Sequence, residues 1–134
     1  MTDPTSDPAP GPTSGPTSGP TPDSAPTAQA VFDRQLAAIA AGDLKALLAQ
    51  YHPEATVVRL DRVARGAAEI EDLFAAYLAA APRVDELVSV RTTDDVIFYH
   101  ARMTAGGRSV TAYGTLVLRD GLIWRQTAAA HPAG

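Results

Sequence analysis

Apolar residues that recur every three or four positions predict three helices in the first half of the chain. The first helix covers residues 28–41. The second begins after Asp43, a residue type favoured at helix N-caps. It carries Tyr51 near its end, and the His-Pro pair that follows disfavours further helix. The third begins at Gly66 and ends at Pro82. Each helix should turn one apolar face toward a common core.

The hydrophobic period changes to two after Pro82, which predicts β-strands. Four alternating runs follow one another, separated by turn signals such as Asp120-Gly121, at 84–92, 96–104, 108–119 and 122–130. A shorter pair of β-rich segments, 55–60 and 63–65, precedes the third helix. Helices followed by an antiparallel meander predict the α+β class, with the helices covering one face of a curved antiparallel sheet.

Alternation along the strands predicts which side chains face the helices, since the less polar set of each strand should point inward. A β-bulge would invert part of this assignment. The large residues predicted to point inward are Tyr99, Met103, Leu116, Trp124 and Gln126. Small residues lie between them, at Ala101, Ala112, Gly114, Ala128 and Ala130. Such a wall leaves either a hollow that binds a small molecule or a space that helix side chains fill.

Composition divides the chain at residue 27. Residues 1–27 hold eight of the 11 prolines and no aromatic, Lys or Arg residue. A segment with so little apolar surface cannot offset its chain entropy, so we predict a disordered tail over 1–27 and a single domain over 28–134.

Charge and cysteine content exclude several classes of function. The 11 basic residues are scattered singly along the domain, whereas nucleic-acid-binding proteins usually concentrate them on one face. Zero cysteines exclude a disulfide framework and thiol catalysis, and the three isolated histidines argue against a metal site. We therefore expect no metal, no cofactor and no nucleic-acid partner. No apolar run is long enough to span a membrane and no signal-peptide pattern is present, so a cytoplasmic location is expected.

Several short motifs, taken in order, resemble the NTF2-like superfamily. Three of them are Ala41-Gly42-Asp43-Leu44, Pro53-Glu54-Ala55-Thr56-Val57, and Arg65-Gly66 ahead of the helix with Ile70 and Phe74. The closing hairpin of the SnoaL-like branch is similar to Arg119-Asp120-Gly121-Leu122-Ile123-Trp124-Arg125. The resemblance covers roughly residues 28–131.

This resemblance implies a cone-shaped, cystatin-like fold in which a curved antiparallel sheet wraps round a pocket that the N-terminal helices cap. Relatives include ketosteroid isomerase, limonene-epoxide hydrolase, polyketide cyclases and scytalone dehydratase. Most of them form dimers through the outer face of the sheet. The resemblance therefore implies a homodimer with these residues at its interface: Phe98, His100, Arg102, Tyr113 and Thr127.

The catalytic carboxylates of these relatives have no counterpart at the matching positions of this chain. Arg59 stands where ketosteroid isomerase has its base, Gln35 stands at the position of its tyrosine, and its acid falls near Gly114 or Leu116. Where other branches place a carboxylate on the last strand, the matching pair of positions in this chain is Gln126 and Ala128. The resemblance thus implies the fold without assigning catalytic residues.

The candidate ligand contacts are Tyr99, Trp124, Gln126, Arg59 and Met103. A buried amide such as Gln126 is either paired with a neighbour or aimed at a ligand. Arg59 either pairs with an acid such as Glu69, reaches solvent, or binds an anion. Asp61 is expected in an exposed turn, although a register slip of two residues would bring it to the pocket.

The function hypothesis is a domain that binds a small, hydrophobic organic ligand in an apolar pocket. If it is an enzyme, the resemblance implies isomerase, cyclase or dehydratase chemistry by proton transfer, without a metal. The alternative is a non-catalytic dimeric scaffold that displays the disordered tail. Missing carboxylates favour the scaffold, whereas the small residues of the inner wall favour the binding domain.

Overall fold

The computed structural model describes residues 26–133, which form three helices and six strands in the predicted α+β arrangement. The predicted tail lies outside the described residues, except for its last two positions. In chain order the elements are α1 (Ala28–Ala41), α2 (Leu44–Leu48), β1 (Tyr51–Arg59), β2 (Val63–Arg65), α3 (Gly66–Ala79), β3 (Arg83–Thr92), β4 (Val96–Ala105), β5 (Arg108–Arg119) and β6 (Leu122–Pro132).

Side-chain and backbone caps define both ends of α1 and the start of α2. The Thr27 hydroxyl accepts a hydrogen bond from the Ala30 amide at 3.1 Å. Gly42 adopts a φ of 65°, which lets its amide turn back to the last carbonyls of α1. Asp43 then accepts from the Ala46 amide at 3.0 Å, as the N-cap prediction requires.

The second helix is shorter than predicted, because Tyr51 belongs to the sheet. The helix ends at Leu48, and the Gln50 carbonyl already accepts a hydrogen bond from the Ile123 amide at 2.8 Å. Tyr51 pairs with Ile123 as the first residue of β1. The prediction that the helix continues through Tyr51 is therefore wrong, since pairing with β6 takes over the chain two residues after the helix.

The strands form one open six-stranded sheet with the order β2-β1-β6-β5-β4-β3. The meander β3–β6 is antiparallel as predicted, and β1 joins it parallel to β6. The β5–β6 hairpin turns at Asp120 and Gly121, whose φ angles of 55° and 76° are those of a two-residue turn with both central residues left-handed.

The helices pack on one face of the sheet, and the core lies between them. Its fully buried side chains include Val31, Leu47, Ile70, Ile97 and Leu116. The predicted inward residues of β4 and β5 are buried or half-buried, whereas Phe98 and Tyr113 of the opposite set are exposed. Strand parity therefore assigns the faces of these two strands correctly.

A β-bulge inverts the assignment at the start of β6. Val117 pairs with Arg125 and Leu118 pairs with Ile123, so Trp124 is an extra residue without a partner on β5. Ile123 is consequently fully buried, while Trp124 is half-buried on the other face. The prediction that Trp124 points inward is wrong for this reason, and the prediction for Gln126 holds because parity resumes after the bulge.

Within residues 26–133, no helix is long and apolar enough to cross a membrane. The two longest of these helices, α1 and α3, have 14 residues each. The cytoplasmic location expected from the sequence stays a prediction.

Candidate functional site

A cavity of about 580 Å³ lies between the helices and the sheet. Large side chains cover it from the helices, namely Phe32, Leu36, Phe74 and Tyr77. The sheet lines it with small residues, namely Ala101, Ala112, Ala128 and Ala130. The helix side chains cover the hollow without filling it, because alanines on the sheet leave the opposite wall recessed. The volume suits a small organic molecule.

Three buried polar side chains form a chain of hydrogen bonds at the cavity. Gln35 on α1 donates from Nε2 to the Tyr51 hydroxyl at 2.8 Å. That hydroxyl in turn donates to Gln126 Oε1. Gln126 is therefore paired with a neighbour on strand β1, Tyr51, and only through that residue is it linked to Gln35 on α1. Gln35 and Gln126 both line the cavity.

The free ends of the two amides have no partner in the part of the chain that the structure describes. Gln35 Oε1 is buried without a hydrogen bond, and Gln126 Nε2 takes part in none of the hydrogen bonds of residues 26–133. For Gln35 Oε1, which is buried, the missing partner costs about 1–3 kcal/mol. The network is therefore incomplete within the protein, as polar groups of a ligand site are before binding.

Two tyrosines line the cavity, namely Tyr77 and Tyr99. Tyr77 donates weakly to Met103 Sδ at 3.9 Å, and the Tyr99 hydroxyl forms no side-chain hydrogen bond within the described residues. The Tyr99 ring lies over Gly114, its direct partner on β5, where a Cβ would approach Tyr99 Cε1 to 2.6 Å. Only glycine allows this placement, which keeps the ring against the sheet rather than across the cavity.

Burial keeps all three phenols in their neutral form. It raises the pKa of Tyr51, although the hydrogen bond from Gln35 acts in the opposite direction. Burial likewise raises the pKa of Tyr77, against a smaller lowering by the Arg59 charge, and raises the pKa of Tyr99. These hydroxyls can therefore donate hydrogen bonds at neutral pH, and none of them is a base.

Charged groups lie at the mouth of the cavity. Arg59 follows the inward row of the sheet beside Ala128. Its guanidinium bonds the Asp61 carboxylate twice, through Nε at 3.0 Å and Nη2 at 3.1 Å. The partner suggested by the sequence was Glu69, which instead accepts a hydrogen bond from the Arg65 amide at 2.9 Å. Asp61 lies in an exposed turn, as expected, and still reaches the cavity lining without a register slip.

Trp124 lies outside the cavity. The bulge turns its ring toward two arginines, with the Arg125 guanidinium 3.8 Å and the Arg119 guanidinium 5.1 Å from the ring centroid. Stacking on guanidinium groups is a favourable environment for a half-buried tryptophan. The structure therefore gives Trp124 a packing role and removes it from the candidate ligand contacts.

Of the five candidate contacts, the structure brings four to one cavity, namely Tyr99, Gln126, Arg59 and Met103. Ligand binding by these residues stays a prediction. Sequence reasoning missed Tyr51, and it did not single out Gln35, although a glutamine within the apolar face of α1 was an available signal. Among residues 26–133, no three potential metal-ligating side chains lie together, and the expected absence of a metal stays a prediction.

Comparisons with known proteins identify a family and a shared fold. Residues 32–126 match the family model of the SnoaL-like domain. No match was found among curated protein sequences. The chain is similar to a provisionally named polyketide cyclase from Sinorhizobium meliloti, with 22% identity, a TM-score of 0.66, and coverage of 74% of this chain and 93% of the other.

Two further solved structures show the same fold. A provisionally named ketosteroid isomerase from Kribbella flavida has 14% identity and a TM-score of 0.69, with 81% of this chain and 82% of the other covered. An NTF2-like protein of unknown function from Cytophaga hutchinsonii has 11% identity and a TM-score of 0.70, with 84% and 96% covered. At identities this low, the likeness shows the cone-shaped α+β fold and not an activity.

Proposed function

The chain belongs to the SnoaL-like domain family, and from that premise we propose that it binds a small, largely apolar organic molecule in the cavity between its helices and its sheet. The observation that carries this proposal is the cavity of about 580 Å³, whose lining includes Gln35 and Gln126, each with one amide atom unpaired among the described residues. Apolar walls with a few polar groups are typical of small-molecule sites.

Native mass spectrometry of the full chain, after incubation with a metabolite extract of the host cell, tests this proposal. We expect a retained small-molecule mass in the native protein. Ala112→Leu should abolish it, because Ala112 is buried in the cavity wall and the larger side chain enters the hollow. Ala75→Leu is the matched control, since Ala75 lies on the exposed face of α3. Retention that is equal in both variants would contradict the proposal.

Proton transfer is the reaction class that we propose for this site if the bound molecule reacts. Similar structures carry the provisional names polyketide cyclase and ketosteroid isomerase. Among the described residues that line the cavity, Asp61 is the one carboxylate, and it reaches the mouth beside Arg59. We expect Asp61→Asn to abolish deuterium exchange at the carbon next to the carbonyl of a bound ketone, measured by NMR. Exchange at the native rate in that variant would exclude Asp61 as the base.

We propose a homodimer through the outer face of the sheet as the assembly state. Phe98 is 50% exposed and Tyr113 is 37% exposed on that face. Tyr113 also stacks on His100, with ring centroids 4.4 Å apart, which holds an aromatic surface in place. Sedimentation equilibrium should show a dimer that Phe98→Ser weakens and Ala75→Ser leaves intact. A monomeric native protein at micromolar concentration would contradict this assembly.

A further inference from the structure

Two uncharged hydrogen-bond donors without partners lie on the sheet side of the cavity. Gln126 Nε2 and the Tyr99 hydroxyl both belong to residues that line it. Neither atom donates to any acceptor within the described part of the chain. Both residues project from the inner face of the sheet, on strands separated only by β5.

Strand register brings these two donors toward one point. Tyr99 pairs with Gly114, and Gly114 pairs with Ala128, so the three residues form one row across the sheet. Gln126 lies two residues before Ala128 and is thus the diagonal neighbour of Gly114, at a typical distance of about 7–8 Å. Because the Tyr99 hydroxyl lies over Gly114, it is displaced from its own strand toward Gln126.

Because Gln35 presents its Nε2 group to Tyr51, the buried network sets which end of the Gln126 amide faces the cavity. The Tyr51 hydroxyl accepts from Gln35 and must use its single proton toward Gln126, which therefore has to offer its oxygen. A turned Gln126 amide would place its NH₂ group against that proton and lose the bond. Gln35 and Tyr51 are thus positioning residues that keep Nε2 of Gln126 available as a donor.

We propose that Gln126 Nε2 and the Tyr99 hydroxyl together bind one carbonyl oxygen of an uncharged ligand. A carbonyl oxygen has two lone pairs and accepts two such bonds. The cavity then selects compounds that carry a ketone, ester or amide carbonyl over hydrocarbons of the same shape. This inference rests on the proposed function, since it names the ligand class of the same cavity.

Binding of 1-tetralone and tetralin to the full chain, followed by NMR titration, tests the ligand class. The two probes have the same bicyclic shape and differ by one carbonyl group. We expect 1-tetralone to bind at least about tenfold more tightly, because each net hydrogen bond contributes severalfold. The infrared carbonyl stretch of the bound ketone should lie at lower frequency than in an apolar solvent.

Variants test whether the preference for 1-tetralone over tetralin comes from these two donors. Tyr99→Phe and Gln126→Met should each reduce the ratio of the affinity for 1-tetralone to the affinity for tetralin by about threefold or more. Gln29→Met is the control, since Gln29 is exposed on α1 and does not line the cavity, and it should leave the ratio of the two affinities unchanged. Tyr99→Phe keeps the test decisive if Gln126→Met fails to fold, because the Tyr99 hydroxyl has no hydrogen-bond partner in the described protein to lose.

The outcomes separate this inference from the proposed function. Equal binding of both probes overturns the carbonyl inference and leaves the binding cavity standing. A preference for 1-tetralone that survives both donor substitutions also overturns it. Absence of binding by either probe, together with no retained mass in the metabolite experiment, overturns the proposed function and the inference with it.

Discussion

Removing the buried Tyr51 hydroxyl should destabilise the domain more than removing the hydroxyl of either tyrosine that lines the cavity. The substitution Tyr51→Phe keeps the ring in its place against Phe74, at a centroid distance of 5.2 Å. It takes away the acceptor of Gln35 Nε2 and the donor to Gln126 Oε1 together. Both amide side chains are buried, and each loses the one hydrogen bond that it makes within the described residues.

The expected loss follows from the two polar groups left unpaired. Each costs about 1–3 kcal/mol when its partner is removed, so the free energy of unfolding should fall by about 2–6 kcal/mol. Small domains have a total of about 5–15 kcal/mol, which makes this a large fraction. For a domain of about this size, 1 kcal/mol corresponds to roughly 4–8 °C in Tm, so the melting temperature should fall by at least about 8 °C.

Chemical denaturation in urea and thermal unfolding by circular dichroism measure the effect. Tyr99→Phe is the matched control, since it removes the same atom from a hydroxyl without a hydrogen-bond partner in the described residues, and it should change stability by less than about 1 kcal/mol. A triple variant with Leu at Gln35 and Gln126 and Phe at Tyr51 should recover part of the loss, because no polar group is then left unpaired. Equal stability of Tyr51→Phe and Tyr99→Phe would refute the network as a source of stability.

Three further results follow from the same structure. Gly114→Ala should force the Tyr99 ring into the cavity, since the new Cβ would lie 2.6 Å from Cε1 of that ring. NMR titration should therefore show weaker binding of 1-tetralone, and an unaltered affinity would contradict this displacement of the ring. Trp124→Ala should lower Tm and keep the affinity for 1-tetralone, because the ring packs on Arg125 outside the cavity; a lost affinity would place it back at the site. Above about pH 10, stability should fall by about 1.4 kcal/mol per pH unit for each buried phenol, because its pKa is raised on folding and only the unfolded chain releases the proton there. Urea midpoints between pH 9 and 11 measure this slope, and Tyr51→Phe should make it shallower.

Local sequence signals suffice for most of the fold. The period-two runs after Pro82 correspond to β3–β6 within a few residues, because each strand is half-buried and its turns carry their own signals. Asp120 and Gly121 tolerate the left-handed angles of a tight hairpin, so the last turn could be located from two residues alone. The helix caps at Asp43 and Gly42 act through neighbouring backbone groups and were equally visible.

Two features of the site depend on contacts between strands that the pattern of apolar and polar residues does not predict. Trp124 and Ile123 are both apolar, so the alternation of apolar and polar residues is equally consistent with either one pointing inward. The sequence pattern therefore gives no sign of the extra residue that the bulge inserts. Tyr51 continues the helical spacing of Leu47 and Leu48, and only its pairing with Ile123, far away in sequence, makes it a strand residue. The central hydroxyl of the network was therefore invisible until the register of β1 against β6 was known.

The distribution of charge favours uncharged ligands at two separate points of the cavity. Inside, the polar groups that line the sheet are the neutral donors Gln126 and Tyr99, which offer no counter-ion to a desolvated anion. At the mouth, the Arg59 guanidinium already bonds the Asp61 carboxylate twice, with the Arg59 side chain 32% exposed. A carboxylate ligand could reach this guanidinium only by displacing Asp61, whereas a neutral carbonyl compound passes without breaking the pair. Asp61→Asn removes the carboxylate that occupies this guanidinium, so acetate should bind at the mouth of that variant more tightly than in the native chain. NMR titration measures the two affinities, and equal values would contradict this argument.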